Sequence, residues 1–116
     1  KKWKEKNVAY IYNGRTKQNM PLYYQFYQSC WSNKDRLNIK NAVVDMKVPH
    51  LHVHGDNDPT VLIDEAYNIK SWNSKVALHI IKGANHVFDG CHPYNLVNFP
   101  KDLKNAIDVT INFLKN

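Results

Sequence analysis

Hydrophobic and polar positions alternate most cleanly from His50 to His54, where Leu51 and Val53 stand between histidines and Gly55 closes the run. A period of two that stops at glycine predicts a short β-strand. From Thr60 to Trp72 the period lengthens, with Ile63, Ala66, Tyr67 and Ile69 at helical spacing. Val76–Ile81 is a compact β-branched run ahead of Lys82-Gly83, which predicts a buried strand. Leu103, Ile107, Thr110, Ile111 and Leu114 then make one stripe of a C-terminal helix.

The first half is less regular. Val8–Tyr12 has the β-branched and aromatic content of a strand and runs into the turn dipeptide Asn13-Gly14. Met20–Trp31 contains Pro21 and is dense in aromatics, and the spacing of Leu22, Phe26 and Tyr27 predicts a short helix. Asn38–Met46 predicts a further turn or two of helix, with Ile39, Ala42 and Val43 on one side, broken by Val48-Pro49. No repeat or low-complexity tract interrupts the chain.

Strand, helix, strand, helix over residues 50–115 indicates an α/β fold with parallel strands joined by right-handed crossovers. Parallel strands need neighbours on both sides and helices on both faces. Two well-marked strands and one weaker one leave edges open. The expectation is therefore the C-terminal βαβα part of an open parallel sheet, an incomplete domain whose earlier strands lie outside this sequence. Residues 48–116 form that part of the core, and residues 1–47 form a separate segment with one weak strand and short helices.

Composition narrows this picture. The chain has 116 residues, 43% hydrophobic and 22% charged, which is ordinary for one globular domain and unlike a disordered chain. No stretch approaches the roughly 20 apolar residues of a membrane-spanning helix. Two cysteines cannot build a disulfide scaffold or a four-thiolate zinc site. Lys1 is not an initiator Met and no apolar run follows the early lysines, so no signal peptide is expected in this stretch, and a longer parent chain is. The net charge of +6 comes from fourteen scattered Lys and two Arg, Arg15 and Arg36, in a chain also rich in Asn. Base readout relies on Arg forks and backbone binding on a clustered basic face, so nucleic acid is not the expected partner.

Two loops carry chemistry. In a βαβ unit the loops after both strands emerge at the same sheet edge, and neighbouring strands lie about 4.8 Å apart. Gly55-Asp56-Asn57-Asp58 and Gly83-Ala84-Asn85-His86 should thus be close. An aspartate bonded to one ring nitrogen fixes the histidine tautomer and frees the other nitrogen to act as a base.

These residues resemble the α/β hydrolase superfamily, in particular its dienelactone-hydrolase-like and prolyl-oligopeptidase-like serine hydrolases. His54-Gly55-Asp56-Asn57-Asp58-Pro59-Thr60-Val61 is similar to the turn that bears the catalytic acid, and Gly83-Ala84-Asn85-His86 to the histidine loop after the last strand. His92-Pro93 and the amphipathic helix resemble the family's C-terminal helix. The resemblance covers residues 48–115 and is weaker from Gly14-Arg15-Thr16 to Arg36-Leu37, which it implies to be a cap-like insertion. It implies Asp58 as the acid and His86 as the base in a nucleophile-His-Asp triad acting on a small ester, amide or peptide substrate, with no cofactor. Family members present the nucleophile in a Gly-x-Ser-x-Gly elbow. None of Ser29, Ser32, Ser71 and Ser74 has that setting. The nucleophile and oxyanion hole are accordingly expected outside this chain, which alone should be inactive. The missing N-terminal part of the same enzyme, or a self-association partner, would cover the open sheet edges.

Other readings compete. Asp58-Pro59 also suits a helix N-cap followed by proline at the first helical position. Asp56 is the rival for the acid. His50, His52 and His54 point to one face of their strand and, with Asp56 or Asp58, offer zinc-ligating groups, so a metal-dependent hydrolase is the alternative enzyme. A non-catalytic binding module on the same fold is the alternative that is no enzyme. Cys91 is read as a small loop hydrophobe, the aromatics between Tyr23 and Trp31 as packing or pocket lining, and Arg15 as a turn residue or a substrate-carboxylate ligand.

Overall fold

Asn13 organises the first turn of the chain: its side-chain oxygen accepts the backbone N–H groups of Arg15 (3.0 Å) and Thr16 (3.2 Å), and its carbonyl that of Lys17 (2.8 Å). This closes an antiparallel hairpin of β1 (Val8–Asn13) and β2 (Gln18–Tyr23), with Val8 opposite Tyr23 and Asn13 opposite Gln18. The computed structural model describes residues 2–115, and the chain divides into two compact units between Ala42 and Val43.

In the first unit, α1 (Lys2–Lys6) precedes the hairpin, and α2 (Tyr24–Ser32) follows it. One helix over Met20–Trp31 is therefore corrected: residues 20–23 are strand and the helix starts at Tyr24. Pro21 explains the difference, since proline lacks the N–H and clashes inside a helix but is tolerated on an edge strand. The Trp3 indole N–H donates to the Leu22 carbonyl at 2.8 Å. Trp3, Tyr24, Tyr27 and Trp31 form a chain of ring contacts with centroids 5.3–6.3 Å apart. None of the described residues 2–42 is buried, so this unit is held by its ladder and ring contacts rather than by a core.

α3 (Ile39–Asp45) spans the division and turns Val43 inward. The second unit then reads β3 (Leu51–Gly55), α4 (Ile63–Trp72), β4 (Ala77–Ile81) and α5 (Lys101–Lys115). β3 and β4 pair in parallel, Leu51 beside Ala77 through Gly55 beside Ile81. The fold is α/β in this sense: the second unit has a small parallel sheet with helices, and the first unit an antiparallel pair. Ile81, Ala84 and Ala106 form the buried cluster, flanked by Val53 and Phe88. Val43, Ala66 and Val76 are also buried. The Asn73 amide donates to the Val43 carbonyl at 2.9 Å, and Lys70 Nζ donates to the carbonyls of Ser74 and Val76, tying the end of α4 to the start of β4.

Two expected details change. α4 starts at Ile63 rather than Thr60, because residues 60–62 are drawn into a turn under Asp58. The covered face of α5 runs through Ala106, with Leu103, Ile107, Val109 and Phe113 partly covered, so the first half of the expected stripe faces inward while Ile111 is 44% and Leu114 76% exposed. A small residue lets a helix approach a sheet closely, so Ala106 sits deepest. Among the described residues β3 pairs only with β4, so its other edge is open. No helix of the described residues is long and apolar enough to cross a membrane.

Candidate active site

The loops after β3 and β4 are fastened to each other. Asp56 N–H donates to the Ile81 carbonyl at 3.3 Å, Asn57 N–H to the Ala84 carbonyl at 3.0 Å, and Gly83 N–H to the Asp56 carboxylate. The approach is so close that a Cβ on Gly55 would meet the Ala84 carbonyl oxygen at 2.2 Å, which leaves glycine the only residue that fits. At Gly83 the backbone turns with φ 81°, again a glycine conformation.

This closeness brings Asp58 and His86 into contact. His86 Nδ1 lies 2.8 Å from Asp58 Oδ2. A carboxylate only accepts, so Nδ1 carries a proton, and in the neutral ring the lone pair is then at Nε2. The other oxygen, Oδ1, accepts the N–H groups of Thr60 (2.7 Å) and Val61 (2.9 Å). Asp58 is therefore a turn anchor and a histidine partner at once, one oxygen for each task. It is not a helix N-cap, since that position falls to Leu62, which caps with no side-chain bond. Burial pushes the Asp58 carboxyl up, but the Val61 amide, His86 and the Thr60 amide outweigh it and bring it down to about 2. Asp58 stays ionised beside an imidazole that reaches out: its side chain is 5% exposed and that of His86 50%.

The histidine loop has its own brace. Asn85 Oδ1 accepts the N–H groups of Val87 (3.0 Å) and Asp89 (3.1 Å), and its amide donates to Asp89 Oδ1 at 2.8 Å. Phe88 and Asp89 both adopt left-handed φ, 52° and 59°. Such conformations cost about 1–3 kcal/mol each in non-glycine residues and persist only where surroundings impose them. Asn85 and the packing of Phe88 on the Ile81–Ala84–Ala106 cluster impose them here. The role of Asn85 has a sequence signal, since an Asn ahead of a tight turn often bonds the backbone that follows it.

The three strand histidines share a face, with ring centroids 6.1 Å apart for His50–His52 and 5.7 Å for His52–His54. Zinc needs its nitrogen donors about 2.0–2.1 Å from one point. Here His54 Nε2 is occupied by the Val61 carbonyl at 3.0 Å and Asp56 by Gly83, and no three His, Cys, Asp or Glu side chains among the described residues converge as a metal requires. The carboxylate that meets His86 is that of Asp58, while Asp56 accepts the Gly83 N–H instead. Burial, then His54 and His50, lower the pKa of His52 below the ordinary imidazole value. Arg15 lies in the exposed β1–β2 turn, and Cys91 is exposed with its thiol 3.7 Å from the Pro93 carbonyl.

Beside the Asp58–His86 pair a cavity of about 200 Å³ opens, bounded by His52, His54, Val61 and Phe88. No protein-family model and no curated protein matches this chain.

Proposed function

We propose that residues 48–116 are the C-terminal part of an α/β-hydrolase-type enzyme that cleaves esters or peptide bonds through a nucleophile supplied from outside this chain. The observation that carries this reading is the 2.8 Å contact between a buried Asp58, fixed through its second oxygen, and a half-exposed His86. His86 Nε2 takes the proton of the nucleophile as it attacks the carbonyl and returns it to the leaving group. Asp58 fixes the tautomer and stabilises the imidazolium that forms. The oxyanion hole, like the nucleophile, comes from upstream segments.

The open edge of β3 supports the incomplete-domain part of this reading. An apolar groove of about 340 Å³ runs beside that strand, lined by Met46, Leu51, Val53 and Phe113 among others. A further strand of the same sheet would cover it and pair with the unoccupied backbone edge. On this reading the first unit is the cap-like insertion, and the substrate is a small ester, amide or peptide.

A fluorophosphonate probe tests the proposal. The longer polypeptide carrying this segment should be labelled at a serine upstream of Lys1, and the 116-residue chain alone should not. Labelling of the longer polypeptide that persists after His86→Ala would overturn it.

A further inference from the structure

His54 has no part in the proton transfer just described, yet it is among the most buried polar residues, at 7% exposure. Its Nε2 lies 3.0 Å from the Val61 carbonyl and 3.8 Å from Asp58 Oδ2. A carbonyl only accepts, so Nε2 carries the proton. Val61 is consequently held at both ends of its backbone: its carbonyl by His54, and its N–H by Asp58 Oδ1 at 2.9 Å. The N–H belongs to the 60–61 peptide and the carbonyl to the 61–62 peptide, so the His54 bond holds the far side of residue 61 while Asp58 Oδ1 holds the near side, and losing it loosens the turn that presents both amides to Asp58.

We propose that His54 is a positioning residue: its Nε2–H holds the Val61 carbonyl, fixing the 58–61 turn whose amides aim the Asp58 carboxylate at His86. The description of His54 as positioning for catalysis rests on the proposed function. The mechanical coupling from His54 through Val61 and Asp58 to His86 does not. His52 stacks on His54 with ring planes 13° apart, which restricts the His54 ring to the orientation that reaches Val61.

A pair of substitutions separates this from mere packing. Glutamine carries its amide nitrogen about where Nε2 sits in histidine, and asparagine about where Nδ1 sits. His54→Gln should preserve the bond to Val61, and His54→Asn should lose it. The readouts are the hydrogen-bonded His86 Nδ1 proton by NMR and amide exchange at Thr60 and Val61, measured in the ¹⁵N-labelled 116-residue chain. Asp58→Asn assigns the His86 signal to the pair. H54N should abolish that signal and speed exchange at both amides roughly tenfold, the equivalent of one lost hydrogen bond. H54Q should retain both, and β3–β4 ladder amides should stay protected in each variant. Retention of the His86 signal in both variants, or its loss in both, would overturn the proposal. Failure of fluorophosphonate labelling would remove the catalytic reading and leave these NMR results untouched.

Discussion

Asp58 and His86 are separated by 28 residues in sequence, yet Oδ2 of one lies 2.8 Å from Nδ1 of the other. Two parallel strands deliver them to one edge, and a close backbone approach at Gly55 and Ala84 locks the loops together. The pair is asymmetric. The acid is immobilised by two amides and shielded, while the imidazole keeps one nitrogen directed away from it and half its surface in solvent.

Replacing Asp58 by Asn should switch the His86 tautomer. The amide keeps an oxygen for Thr60 and Val61, so its NH₂ faces His86, and the ring must then accept at Nδ1 and carry its proton at Nε2. Imidazole ¹⁵N shifts report the tautomer directly. In the complete enzyme turnover should fall on the order of 10⁴-fold, as an equivalent aspartate-to-asparagine change does in serine proteases.

Acid should dissolve the pair in a defined window. The Asp58 carboxyl is lowered from 3.8 to about 2 in the folded chain. A depressed folded pKa contributes stability that is complete above the unfolded value and is lost as pH falls through the folded one. Urea midpoints of the native chain and D58N should therefore differ most at about pH 5 and converge as pH falls to about 2. A gap that stays constant across that range contradicts the assignment.

Gly55→Ala should separate the loops. Its new Cβ would lie 2.2 Å from the Ala84 carbonyl oxygen, and backbone rather than a flexible side chain must yield. A loss of about 1–3 kcal/mol is expected from overpacking, measured by urea denaturation, together with loss of the His86 Nδ1 proton signal.

The facing of Asp58 and His86 was legible because glycine-stopped strands separated by a helical stretch leave little choice of where their loops emerge. What the sequence obscured is equally specific. β2 has neither alternation nor β-branched residues, and its strand exists through pairing with β1 across a turn built by Asn13. The deepest residue of α5 is the small Ala106, which the apolar stripe that dominates periodicity passes over, and only Leu103 and Ile107 of that stripe are partly covered. Capping and histidine binding looked like rivals at Asp58 because residue letters do not separate the two oxygens of one carboxylate. The work of His54 depends on a ring nitrogen and a distant carbonyl, and no spacing rule encodes that bond.

Asn85→Ala should loosen the histidine loop. It removes the acceptor for two amides that hold Phe88 and Asp89 in left-handed conformations. Exchange at Val87 and Asp89 should quicken, and stability should drop by about 0.5–2 kcal/mol, as for other lost side-chain caps. Unchanged protection at both amides would show that Phe88 packing alone sets the loop.

The most direct test of the account is pre-steady-state hydrolysis of a p-nitrophenyl ester by the longer polypeptide that contains this segment. A nucleophile served by His86 predicts a rapid release of one equivalent of p-nitrophenol per chain followed by slow turnover, with the rapid phase abolished by His86→Ala. A burst of the same size and rate in that variant would contradict the account.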